Sequence, residues 1–253
     1  MTFWMPDRVR EDSSAFKLTV TDAVCVGPPE MQFLMGGSSM AAAVEAAETT
    51  FEMPLLWATT QFMNTGMLGE TVEFEARKIG GGRNIVQAEV IVSKAGEPIA
   101  RMAAALGGSK PDHDTQIVAM PNVGAPLECP IKTDTTFTTD ANLIGQFERR
   151  TAFEDNDAGV EHMWIKPKAD LPNNAGLLSI ISDFILGVHP LTRGGRTLDN
   201  TIRIGATAPS GWVLCVRELL SVVRGVAHIE QRLFFEDGTF LARTSQSGLI
   251  PRQ

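Results

Sequence analysis

The group best placed to do chemistry in this 253-residue chain is a single acid in a greasy segment. Residues 176 to 187, GLLSIISDFILG, read as a short apolar helix in which Leu177, Leu178, Ile180, Ile181, Phe184, Ile185 and Leu186 surround Asp183. Taking an ionised carboxylate out of water is costly unless something pairs with it. Desolvation also raises its pKa, which makes it a better proton acceptor near neutral pH than a surface Asp. Such a group suits general-base work on a water molecule. The alternative is a turn cap at the helix end, since Asp caps turns readily and GVHP follows at once.

The other reactive side chains form no comparable constellation. His113 lies in a Pro/Gly-rich stretch, His162 and His228 sit in strand-like segments, and His189 precedes a proline just after the helix. Ser38 and Ser39 in GGSSM have neither a G-x-S-x-G setting nor a nearby His, so close packing explains them better. GGGR at 80 to 83 lacks the Lys-Ser/Thr of a phosphate loop and reads as a hairpin turn. Cys25, Cys129 and Cys215 are scattered, which argues against a disulfide framework or a zinc site. We expect no metal and no redox cofactor. Arg193 and Arg196 in TRGGRT are a possible landing place for an anionic ligand, or simply a solvated loop.

Composition narrows the class further. A net charge of −8 argues against a general binder of nucleic acid or of a membrane surface, both of which are anionic. No apolar run approaches the roughly 20 residues of a membrane span. The N-terminal MTFWMPDRVREDSS lacks the apolar core of a secretory signal, so a cytoplasmic protein is expected.

The elements that must position Asp183 occur twice. KAGEPIARMAAALG from 94 and EDGTFLARTSQSGL from 236 both run through a turn glycine into Ala-Arg; Arg101 and Arg243 are 142 positions apart (243 − 101). Alternating strands precede both, NIVQAEVIVS from 84 and VAHIEQRLFF from 226, an arrangement that signals hairpins. TVEFEARKI from 71 answers WVLCVRELLSVV from 212, and LLWATTQFMNT from 55 answers TLDNTIRIGAT from 197. An apolar helix behind small residues opens each copy, MGGSSMAAAVEAAE from 35 and NAGLLSIISDFILG from 174. The expected organisation is one repeat in 1–107, a Pro/Gly-rich connector in 108–135 and a second repeat in 136–253. One helix per antiparallel sheet covers only one face. Joining the sheets edge to edge around both helices solves this and removes two open strand edges.

That α+β arrangement resembles a double hotdog, in which a curved antiparallel sheet wraps a central helix in each repeat. SDF at 182 to 184, RTLDNTIRI at 196 to 204 and ARTSQSGLI at 242 to 250 are similar to the type II acyl-CoA thioesterase (TesB-like) family. The resemblance implies hydrolysis of acyl-CoA by a water held by Asp183, Thr197 and Gln246. A Thr hydroxyl and a Gln amide both offer donors and acceptors suited to orienting that water. It also implies an oxyanion site at a central-helix N-terminus, near Gly176 in the second copy and Gly37 in the first. Arg193 and Arg196 would then meet a CoA phosphate, and a homodimer is the expected assembly. The chain departs from the family in having no tyrosine and in reading FMNTGMLGE after the first-copy strand. Met40, Ala41, Ala42, Ala43 and Met63 suggest a plastic acyl pocket. A non-enzymatic acyl-CoA binder or sensor needs the same pocket, and an enoyl-CoA hydratase or dehydratase uses the same fold. The lack of a central-helix His counts against the latter.

The repeat provides an internal control. Gln246 answers Ala104 (246 − 142), Thr197 answers Leu56 at an offset near 141, and Asp183 answers Val44, or Glu45 after a one-residue slip. Apolar residues at all three first-copy positions predict one working site per chain. The second copy builds it, and the first supplies architecture and one wall.

Overall fold

A computed structural model describes residues 2–109, 115–133 and 138–251. Its strands form where alternate residues are apolar and can be buried on one face. The first half contains β1 (Asp7–Arg8), β2 (Ala15–Thr19), β3 (Cys25–Val26), β4 (Phe33–Leu34), α1 (Gly36–Phe51), β5 (Leu55–Phe62), β6 (Thr71–Gly81), β7 (Ile85–Lys94) and β8 (Glu97–Gly107). The second contains β9 (Phe147–Asp155), β10 (Val160–Pro167), α2 (Ala175–Ser182), β11 (Arg196–Ile204), β12 (Val213–Val223), β13 (Val226–Phe235) and β14 (Phe240–Leu249). The hairpins are tight because both residues of the turns Ala95–Gly96 (φ 50° and 84°) and Arg224–Gly225 (φ 55° and 75°) are left-handed.

Twelve strands make one sheet in the order β1-β2-β6-β7-β8-β5-β11-β14-β13-β12-β10-β9. The halves meet where β5 pairs antiparallel with β11, with Thr59 opposite Thr201 and their hydroxyls 2.9 Å apart. This is the edge-to-edge junction expected from the repeat. Both helices lie in the concavity. Every residue of α2 is buried, as is α1 from Gly37 through Ala47. The described part of the connector crosses the outer face of the second half. There Val118, Met120 and Val123 cover Trp164, Trp212 and Leu214, and Trp164 Nε1 donates to Gly124 O at 2.9 Å.

Two local features differ from the sequence expectation. The second helix ends at Ser182, and Asp183 opens a 3₁₀ turn, Asp183–Gly187. Asp183 thus stands at a helix end, as the turn-cap reading supposed, yet it is only 6% exposed. The second feature is a matched pair of β-bulges. Between Thr197↔Gly248 and Asp199↔Ser247, Leu198 is an extra residue; between Leu55↔Leu106 and Trp57↔Ala105, Leu56 is. In a regular strand residues three apart face opposite sides. The extra residue turns Thr197 to the same face as Asn200.

The helices approach each other closely at Gly37. A Cβ there would lie 2.7 Å from Asp183 Cβ and 3.1 Å from Ile180 Cα. Overpacking of this kind costs about 1–3 kcal/mol. We expect Gly37→Ala to lower the thermal midpoint measurably, and an unchanged melting curve would contradict this packing.

Candidate functional site

Asp183 reaches the middle of the molecule from the end of α2, and three donors converge on it. Gly37 N–H donates to Oδ2 at 2.6 Å; Gln246 Nε2 and Thr197 Oγ1 donate to Oδ1 at 2.9 and 3.2 Å. Gln246 Nε2 also donates to Thr197 Oγ1 at 2.7 Å. The sheet brings the last two together. β11 and β14 are neighbours, and the bulge at Leu198 re-aims Thr197 inward beside Gln246. Gln246 is buried and Thr197 half-buried, so the open side of the cluster is the Thr197 side. The buried Oε1 of Gln246 has no partner among the described residues.

Burial pushes the Asp183 carboxyl up to about 6, against the opposing pull of Gly37, Gln246 and Thr197. The first-turn amide of α1 is used because Met35, its N-cap residue, makes no side-chain cap. A carboxylate at a helix N-terminus also meets the positive end of the helix dipole. The arrangement therefore yields an acid that is ionised just below neutrality and held in a fixed orientation, with an unspent acceptor beside it. Together these can orient a water and take its proton.

Similarity to known proteins bears on what such a site does. The chain matches the acyl-CoA thioesterase N-terminal domain over residues 28–107 and the acyl-CoA thioesterase C-terminal domain over residues 126–250. It belongs to the acyl-CoA thioesterase family. A solved structure of a candidate thioesterase from Novosphingobium aromaticivorans shares 28% identity, with a TM-score of 0.92 over 99% of this chain and all (100%) of that one. Acyl-CoA thioesterase II TesB2 from Mycobacterium marinum aligns with a TM-score of 0.78 and 17% identity over 99% of this chain and 97% of its own. A hot dog fold protein of unknown function from Alicyclobacillus acidocaldarius aligns at 0.85 and 16% over the same shares, 99% and 97%. A search of curated proteins returns no match. The double hotdog fold and the family assignment follow, and both agree with the resemblance read from SDF, RTLDNTIRI and ARTSQSGLI.

Several expectations for this thioesterase-family chain need correction. The Gly37 amide is not a free oxyanion donor, because Asp183 takes it. Gly176 lies at the far end of α2, seven residues and about 10 Å of helix from Asp183. It belongs instead to a second, symmetry-related position. There Glu45 on α1 faces the first turn of α2, and a Cβ on Gly176 would lie 2.5 Å from Glu45 Oε1. The counterpart of Asp183 across the pseudo-twofold is thus Glu45 rather than Val44, and the first half does hold a buried acid. Its other two positions are apolar: Ala104 answers Gln246, and the bulge makes Leu55, not Leu56, the counterpart of Thr197.

The second acid has side-chain partners of its own. Trp4, 1% exposed, donates through Nε1 to Glu45 Oε1 at 3.2 Å, and Asn174 Nδ2 lies 3.4 Å from the same oxygen. Asn174 Oδ1 caps Leu177 N–H, so α2 needs no carboxylate at its start. Sequence reasoning missed Trp4 altogether; the slip to Glu45 was the available signal.

The remaining expected residues fall elsewhere. Arg196 is exposed, one residue before Thr197, and the exposed Arg193 pairs with Glu154 at 3.6 Å. Met40, Ala41, Ala42 and Ala43 are in the core, whereas Met63 is exposed. His189 Nε2 bonds Asn156 O and His228 bonds Ser247, while His162 is half-buried with Nδ1 unpaired among the described residues. His113 lies outside the described residues. The three cysteines are buried and free.

Two measurements follow from this electrostatic balance. The folded pKa of Asp183 exceeds its unfolded value near 3.8, so the folded state binds more protons between about pH 4 and 6. Its contribution to stability is greatest below that window and is lost as pH rises through it. We expect wild-type stability in denaturant titrations to fall by on the order of 1–3 kcal/mol as pH rises from about 4 to 7.5, and Asp183→Asn to remove that slope. Trp4→Phe keeps ring bulk but removes the donor to Glu45. A loss of about 1–3 kcal/mol in a denaturant titration is expected, from an acceptor left buried.

Proposed function

We propose that this chain hydrolyses acyl-CoA with a water activated by Asp183, Thr197 and Gln246. The observation that carries the reading is the buried Gln246 Oε1, unpaired beside a carboxylate held by three donors. A water that donates one hydrogen to Asp183 and the other to Gln246 Oε1 points its lone pair away from both. That lone pair forms the new bond to the thioester carbonyl carbon as Asp183 takes the proton. Collapse of the tetrahedral intermediate breaks the C–S bond, and the proton passes to the departing CoA sulfur. Ser39 N–H starts the α1 ladder on Met35 O. Of the earlier first-turn amides, Gly36 and Ser38 are those left to meet the oxyanion.

In this reading residues 136–253 are the catalytic repeat, while 1–107 contribute the Gly37 clamp and one wall. Arg193 and Arg196, exposed at the Thr197 end, would meet the CoA phosphates. The cytoplasm suits three free thiols, and a homodimer is the assembly proposed from the double hotdog resemblance. No metal or redox cofactor has a step in the scheme.

The decisive test is thiol release from an acyl-CoA panel. Wild type should release CoA with an acid limb near pH 6, because the base must be ionised. Asp183→Asn should lose at least 100-fold in kcat while still binding acyl-CoA. Turnover at the wild-type rate by that variant would remove the mechanism. Binding without thiol release by the wild type would instead leave a carrier or sensor.

A further inference from the structure

The site has a back wall of which the hydrolytic scheme uses only Gln246. Thr60 on β5, Asn200 on β11 and Gln246 on β14 form one lateral row, since Asn200 is the register partner of both others. Opposed residues on paired strands point to the same face with Cβ atoms about 5 Å apart. The row therefore crosses the seam between the halves under the helices. Thr60 and Asn200 are fully buried and Gln246 nearly so. Each carries an oxygen without a partner among the described residues: Thr60 Oγ1, Asn200 Oδ1 and Gln246 Oε1. Two of these are carbonyl oxygens that can only accept, and buried unpaired acceptors are expensive. The matching occupant is a donor small enough to sit between strands.

The other end of the Asn200 amide is committed. Nδ2 donates to Ser182 Oγ at 2.8 Å, and Ser182 Oγ donates to Ser179 O at 2.7 Å. Ser182 is the last residue of α2, and Asp183 is the next. Asn200 thus ties the strand that carries Thr197 to the helix end that carries Asp183. In the first half, strand pairing sets Ala58 opposite Ala104, where the second half has Asn200 opposite Gln246. The polar pair belongs to the half with the Asp–Thr–Gln cluster.

We propose that Asn200 is a positioning residue for the reaction. It holds the Asp183 turn through Ser182 and shares, with Thr60 and Gln246, a buried structural water behind the reacting one. This rests on the hydrolytic reading of the site. The shared water holds the Gln246 amide plane, and so the direction in which its Oε1 faces the reacting water. Asn200 itself touches no reacting atom.

The test uses Asn200→Leu, close in volume but unable to hydrogen bond, together with Thr60→Val and the double variant. Each is assayed for thiol release on the acyl-CoA that the wild type hydrolyses fastest. For Asn200→Leu we expect kcat to fall on the order of 10- to 100-fold with KM little changed, as for small misplacements of reacting groups. Its acid limb should move to higher pH, because Asp183 loses a hydrated neighbour. Thr60→Val should lower kcat less, and the double variant should match Asn200→Leu alone, because both remove the same water. A high-resolution crystal structure should show a water within hydrogen-bonding distance of Asn200 Oδ1 and of Thr60 Oγ1 or Gln246 Oε1. Wild-type kcat and acid limb in Asn200→Leu, or fully additive losses, would overturn the proposal; so would a row without that water. If Asn200→Leu does not fold, Thr60→Val and the crystal structure carry the test. Asp183→Asn, run in parallel, reports separately: full turnover there sinks the hydrolytic reading, whatever the row contains.

Discussion

One contact holds the centre of this molecule: the carboxylate of Asp183 seated on the first turn of α1 at Gly37. It joins the end of one half's helix to the start of the other's, across 146 residues of sequence. The contact needs glycine, because any Cβ at position 37 would collide with Asp183 and Ile180. It needs an acid, because Met35 leaves the first turn of α1 without a side-chain cap. The helix dipole and three hydrogen bonds favour the charged form, and burial opposes it. The carboxylate is left between these forces, ionisable close to neutral pH and fixed in direction. A general base has those properties, and burial set against hydrogen bonds produces them here.

The pseudo-twofold sets a second buried acid against a second helix start in different surroundings. Glu45 faces Gly176 as Asp183 faces Gly37, which puts an acid at each of two helix starts. At the second, Asn174 provides the helix cap and Trp4 fills the space beside the acid. The strand positions alongside are Leu55 and Ala104, which can neither orient water nor bond a carboxylate. Inactivity of the first half would come from loss of the polar strand residues and from an indole placed against the acid. Loss of the acid itself is not required.

The seam between β5 and β11 does more than close the sheet. It places Thr60 from one half beside Asn200 from the other, and the adjacent β14 adds Gln246. A polar row under two buried helices is tolerated only where every member finds a partner or a water. Here the row abuts Asp183, which, unlike Glu45, accepts from side chains on the strands. The matched bulges at Leu56 and Leu198 show that the backbone irregularity is inherited by both halves, while its use differs. In one half it presents Leu55 to the core, and in the other it presents Thr197 to Asp183.

The duplication, the strand–helix order and the family were legible in the chain because they rest on local patterns. Alternation with period two, glycine turns and the recurring Ala-Arg at an offset of 142 need no tertiary information. The oddity of Asp183 among aliphatic residues was equally local, and it pointed to the place where the three polar groups meet. What faces that acid was not local. Which glycine it caps depends on how two helices pack; the sequence reading gave Gly37 and Gly176 an oxyanion role and linked neither to Asp183. The true counterpart of Thr197 depends on a bulge, which shifts facing by one residue and leaves no composition signal. Trp4 reaches Glu45 across 41 residues, and only folding decides that an N-terminal indole ends there. Periodicity sets which elements exist. Close packing and register decide which side chains meet, because a shift of one residue reverses the face of every side chain that follows.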